Sequence, residues 1–134
     1  MIEEYLVIYI YAVAIAIMGI TIYGVVVKTN IIKKIIALTI LGDTANVLII
    51  FLAYRLIPLP KPPILPSLNP SVEELSEFAR TSVDPLPQAL VITAIVINVA
   101  VIAFLVFLAI QVYNQYQTLE YNEIISIRRG ETVE

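Results

Sequence analysis

Long apolar runs separated by short polar breaks set the pattern of this chain. The first run extends from about Tyr5 to Val27, the second from Ile31 to Tyr54, and the third from about Leu86 to Val112. Each exceeds the roughly 20 apolar residues that a bilayer-crossing helix needs. Between the first two stand only Lys28, Thr29 and Asn30; residues 55–84 separate the second from the third, and residues 113–134 form a polar, aromatic tail. The pattern predicts an all-α integral membrane protein with three transmembrane helices, organised as a single unit over residues 1–134.

The polar breaks carry local signals of their own. Pro58, Pro60, Pro62, Pro63, Pro66 and Pro70 crowd the start of the long connection. Proline fixes φ and removes a donor, so this stretch is an extended loop. Ser71 and Glu74 then make an S-x-x-E capping box, which predicts a short surface helix over Val72–Ala79. Asp84 is a candidate N-cap for the third span, with Pro85 in its first turn. In the first span Ala12, Ala16 and Gly19 fall on one stripe, where small side chains let another helix approach closely.

Composition sharpens the class. Of 134 residues, 60% are hydrophobic, well above the 45–50% or so of soluble domains. There is no cysteine and no histidine, which excludes disulfides, thiolate chemistry and His-based metal or general-base sites. No catalytic residue, cofactor or metal is therefore expected on this chain. The net charge of −3 argues against nucleic acid as a partner.

Charge also sets an expected orientation. Lys28, Lys33 and Lys34 cluster at the first turn, and Arg128 and Arg129 lie in the tail, giving five basic residues on that side against Arg55, Lys61 and Arg80 on the other. The positive-inside rule puts the first turn and the tail in the cytoplasm, with the N-terminus and the proline-rich loop outside. Residues 1–4 are acidic where a secretory signal would be basic. The expected location is the cell membrane, in a multi-pass arrangement with the lipid bilayer as first partner.

Against this background the polar residues inside the spans stand out. Asp43 sits near the middle of the second span, where a carboxylate costs about 2.5–3.5 kcal/mol on insertion scales. Thr39 and Asn46, four residues before and three after, share its face. Gln88, Thr93 and Asn98 are the polar residues of the third span before its exit, and Asn98 lies near the level of Asp43. Two readings stay open. In one, Asp43 belongs to a proton or cation route, with Lys33 and Lys34 at its cytoplasmic mouth. In the other, the polar residues only fasten helices through hydrogen bonds worth about 0.6–2 kcal/mol each.

The run Asp84-Pro85-Leu86-Pro87-Gln88-Ala89-Leu90-Val91-Ile92-Thr93-Ala94-Ile95-Val96-Ile97 resembles the hallmark of the MrpC family of Mrp-type multisubunit cation/proton antiporters. The Ala45-Asn46-Val47-Leu48-Ile49 step and the tail run Thr118-Leu119-Glu120-Tyr121-Asn122-Glu123-Ile124 are similar to further patterns of that family. The resemblance implies a small subunit of an H+ or Na+ translocating module, beside large antiporter-like subunits and other small helical ones. It extends to the NuoK-like membrane chain of respiratory complex I, and to membrane-bound hydrogenases and sulfur-reducing complexes in which redox centres lie on other chains. The complex I relative has a glutamate in each of its second and third helices. Here the corresponding positions are Thr39 and the wholly apolar stretch 94–97, so Asp43 is what remains to carry such a role.

Overall fold

A computed structural model describes residues 2–55 and 60–130. Positions 56–59, which include Pro58 of the proline-rich stretch, and 131–134 at the end of the tail lie outside the described residues. The elements in order are α1 (Ile2–Val27), α2 (Ile31–Arg55), α3 (Val72–Thr81), α4 (Pro85–Tyr116) and α5 (Tyr121–Arg129). The described residues contain no strand, only two isolated bridges. Three helices are long and apolar enough to cross a membrane, over Tyr5–Val27, Ile31–Ala53 and Pro85–Tyr116. The chain is a multi-pass membrane protein.

Contacts group the chain into two units, residues 1–45 with 95–134, and residues 46–94. In the first, α1 packs through a seam at Val7, Ala14, Met18, Thr21 and Val25, each buried or half-buried. These positions recur at spacings of three, four and seven, so they line one face of the helix. The buried Thr21 hydroxyl bonds back to the carbonyls of Ile17 and Met18, which satisfies it within the helix. α1 comes close to α2 at Gly24, where an added Cβ would lie 3.0 Å from the Cβ of Ala37. The stripe expected to make such an approach, Ala12, Ala16 and Gly19, is instead exposed, and a Cβ on Gly19 would meet nothing within 4 Å. It lies on the far side of α1 from the seam.

The same unit is closed at one end by a clasp between the α1–α2 turn and the segment before α5. Ile31 N–H bonds to the Leu119 carbonyl and Tyr121 N–H to the Thr29 carbonyl, each at 3.1 Å, so Asn30 and Glu120 pair antiparallel. α4 reaches this clasp because it continues a turn beyond the expected exit at Val112, to Tyr116. Gln117 then takes the left-handed conformation, φ 57°, and its N–H caps the Tyr113 carbonyl. The expected polar tail contains a helix, α5, ended by Gly130 at φ 75°. Its last turn carries Arg128 and Arg129, favourable at a helix C-terminus.

The second unit is built on α3 and the loop before it. Ser71 accepts from Glu74 N–H at 3.2 Å while the Glu74 carboxylate accepts from Ser71 N–H at 2.8 Å, the reciprocal box read from the sequence. α3 runs to Thr81, slightly beyond the expected Ala79. Lys61 keeps its backbone donor between two prolines and gives it to the Thr81 carbonyl at 2.8 Å, and its own carbonyl accepts from Val83 N–H at 3.1 Å. That pairing lays the loop along the end of α3 and buries Val83, at 1% exposure the most enclosed side chain described. Asp84 Oδ1 accepts from Leu86 N–H at 2.9 Å and so opens α4 as expected.

Candidate functional site

The centre of the candidate site lies where α2 and α4 meet in the first unit. Asn98 on α4 donates its side-chain amide to Asp43 Oδ1 at 3.3 Å. Asn98 is half-buried, whereas Asp43 is exposed on the surface of the chain itself. The approach is tight because α2 has Gly42 there. An added Cβ would stand 3.3 Å from Asn98 Nδ2 and 3.5 Å from Oδ1. Neither of the other spans brings a charge, since Tyr5–Val27 and Pro85–Tyr116 contain no Asp, Glu, Lys or Arg. Among the described residues, the side-chain amide of Asn98 is the group seen bonded to the Asp43 carboxyl.

The remaining sequence-selected residues divide. Thr39 is half-buried and turns its hydroxyl to the Ile35 carbonyl at 2.9 Å. It lines an apolar groove of about 500 Å³ with Ile32, Ile35, Ile102, Val106 and Tyr113, which extends to Leu119 beside the clasp. Lys33 is exposed at the N-terminal turn of α2, and Lys34 is half-buried beside Val25, Leu38 and Leu105. In the second unit, Asn46 is half-buried on α2, and Thr93 bonds back to the Ala89 carbonyl at 3.3 Å. Of the motif at the start of α4, Asp84 caps, Pro85 is the first helical residue, Leu86 is exposed, and Pro87 and Gln88 are half-buried. The structure therefore joins Asp43 with Asn98 and leaves Thr39 and Thr93 bonded to their own helices.

A second polar cluster was not singled out by sequence. The Glu120 carboxylate accepts from Thr29 Oγ1 at 2.7 Å and from Asn30 Nδ2 at 2.8 Å. Asn30 in turn accepts through Oδ1 from Ile32 and Lys33 N–H, capping α2. The Asn30 amide, then the Thr29 hydroxyl, hold the Glu120 carboxyl below its ordinary value of 4.5; slight desolvation opposes them, and the Lys33 charge adds to the lowering. Thr118, also bonded to Glu123, accepts the Glu120 N–H at 3.2 Å. Among the described residues no group of three or more Asp and Glu side chains forms a metal-binding cluster.

Known proteins resemble this chain in sequence and fold. A family profile described as NADH-ubiquinone/plastoquinone oxidoreductase chain 4L matches residues 9–129. An uncharacterised protein of Methanocaldococcus jannaschii is 39% identical over 105 residues, 77% of this chain and 75% of that one. A Na(+)/H(+) antiporter subunit of the MrpC type from Bacillus subtilis is 42% identical over 50 residues, 37% of this chain and 44% of the antiporter subunit. Its counterpart in Alkalihalophilus pseudofirmus is 46% identical over 46 residues, 34% and 41% of the two chains. The chain thus spans less than half of either antiporter protein. Among solved structures, a chain of the membrane-bound sulfane sulfur reductase, an archaeal respiratory membrane complex, matches with a TM-score of 0.69 at 38% identity, covering 85% of this chain and 94% of that one.

Proposed function

Because the chain belongs to the NADH-ubiquinone/plastoquinone oxidoreductase chain 4L family, we propose that it is a small membrane subunit of an ion-translocating module, with Asp43 in the path of H+ or Na+. The observation that carries this is Asp43 itself, an exposed carboxyl in the middle of a 23-residue span with one amide from its own chain beside it. A carboxyl at that depth is functional by default, because facing lipid would be costly. The groove between Thr39 and Tyr113 is apolar, so the path is completed by neighbouring subunits and not by this chain alone. The host is a respiratory membrane complex akin to the archaeal sulfane sulfur reductase, since that likeness covers 94% of the matched chain and the antiporter likeness under half. The lysine turn and the tail face the cytoplasm, and the redox centres lie on other chains.

The Asp43–Asn98 bond also favours a second reading, in which Asp43 only fastens α4 to α2. One substitution separates the two. Asp43→Asn keeps a group that can bond Asn98 but cannot take up a proton or hold a cation by charge. In the intact complex it is expected to preserve assembly and to lower ion transport at least tenfold, measured as a pH or sodium gradient in membrane vesicles. Wild-type transport in an assembled Asp43→Asn complex would leave the fastening role. Mass spectrometry of the complex purified in mild detergent tests the host: metal-cluster subunits should accompany the large antiporter-like ones, and antiporter-like subunits alone would point to a free-standing antiporter.

A further inference from the structure

We infer that Gly42 is a positioning residue for Asp43, acting through Asn98. The inference rests on the reading that Asp43 takes part in transport. Three observations carry it. Asn98 is the residue from α4 that meets Asp43, and it does so at 3.3 Å, close to the upper limit for a hydrogen bond. The same Asn98 amide lies over Gly42, where a Cβ would come within 3.3 Å of Nδ2, 3.5 Å of Oδ1 and 3.6 Å of Cγ. All three atoms belong to the one side chain, so any side chain at position 42 acts first on Asn98. At 3.3 Å a carbon contact is tighter than packed atoms normally accept, and Asn98 must give by a few tenths of an ångström. A bond already this long has no such margin, and the amide leaves Asp43.

Glycine here does not serve backbone freedom, because position 42 lies within α2 and needs no unusual φ. In a helix interior glycine is destabilising relative to alanine by about 0.5–1 kcal/mol. Close approach of the Asn98 carboxamide is what the missing Cβ permits. Gly42 neither touches an ion nor titrates. It sets the height at which the Asn98 amide lies across α2, and through that the orientation of the carboxyl next to it in sequence. The other two spans offer no charged side chain that could hold Asp43 in place of Asn98.

The test measures ion transport across pH by the whole complex in membrane vesicles, for wild type, Asp43→Asn, Asn98→Ala, Gly42→Ala and Gly42→Ala with Asn98→Ala. Gly42→Ala is expected to lower transport several-fold and to displace the pH profile in the same direction as Asn98→Ala. The double variant is expected to match Asn98→Ala alone, because the methyl then has nothing to displace. A Gly42→Ala complex with the wild-type rate and profile, or a double variant whose losses add, overturns the inference; inactive Asp43→Asn in the same series keeps the transport reading standing. Full transport in Asp43→Asn overturns both. Should Gly42→Ala alone fail to assemble, Gly42→Ala with Asn98→Ser decides. Recovered assembly supports the contact, and continued failure shows that position 42 meets something other than Asn98.

Discussion

Two carboxyl groups, Asp43 and Glu120, are each held by an asparagine amide from a distant part of the chain. Their settings differ: Asp43 is inside a span, and Glu120 follows the last one. For Glu120 the sign of the pH dependence follows from its lowered pKa. Its bonds to Asn30 and Thr29 contribute fully above 4.5 and are lost as the pH falls through the lower folded value. The protection of the Ile31 and Tyr121 amides, the two backbone donors of the clasp, measured against their intrinsic exchange rates at each pH, should be full at neutral pH and fall only below 4.5. Glu120→Gln should lower that protection at neutral pH and flatten its acid dependence; unchanged protection would show that the backbone pairs hold without the carboxylate. Sequence marked Asp43 because a charge amid apolar residues is visible by itself. It could not mark Glu120, which is an ordinary polar residue in a polar tail until its partners, 90 and 91 positions away, are known.

Helix existence and local caps were legible for a related reason. Span length, the Ser71–Glu74 box and the Asp84 cap each depend on residues a few positions apart. Which face of α1 packs was not legible, since small residues at Ala12, Ala16 and Gly19 make as good a stripe as the real seam. The contact that decides it, Gly24 against Ala37, joins two helices. Gly24→Ala should therefore part α1 from α2 and cost about 1–3 kcal/mol by overpacking, read as a lowered thermal midpoint of the complex. Gly19→Ala meets open space in this chain and should leave that midpoint unchanged; a lowered midpoint would show that a neighbouring protein packs on the stripe. Exit points were hard to place as well. Tyr113 and Tyr116 have the amphipathic rings that mark a membrane surface, yet the helix ends only where Gln117 turns left-handed.

Over the whole molecule, burial is sparse. The buried apolar side chains among the described residues are four alanines and two valines. Leu6, Ile15, Ile92, Val96 and Phe104, by contrast, are each more than half exposed. Such a surface is stable against lipid and neighbouring helices, not against water. Topology is testable directly because the chain has no cysteine of its own. Single cysteines at Thr29 and Asn122 should react with an impermeant maleimide from one side of the membrane, and one at Ser67 from the other; labelling of all three from one side would refute the three-span arrangement. The clasp carries a consequence for biogenesis. Asn30 leaves the ribosome 90 residues ahead of Glu120, so a nascent chain with two spans inserted has no means of closing it. Closure reports that the last span has arrived and turned back at the correct surface. A prematurely terminated or mis-inserted chain leaves the Thr29 hydroxyl and the Asn30 amide to water in place of the Glu120 carboxylate.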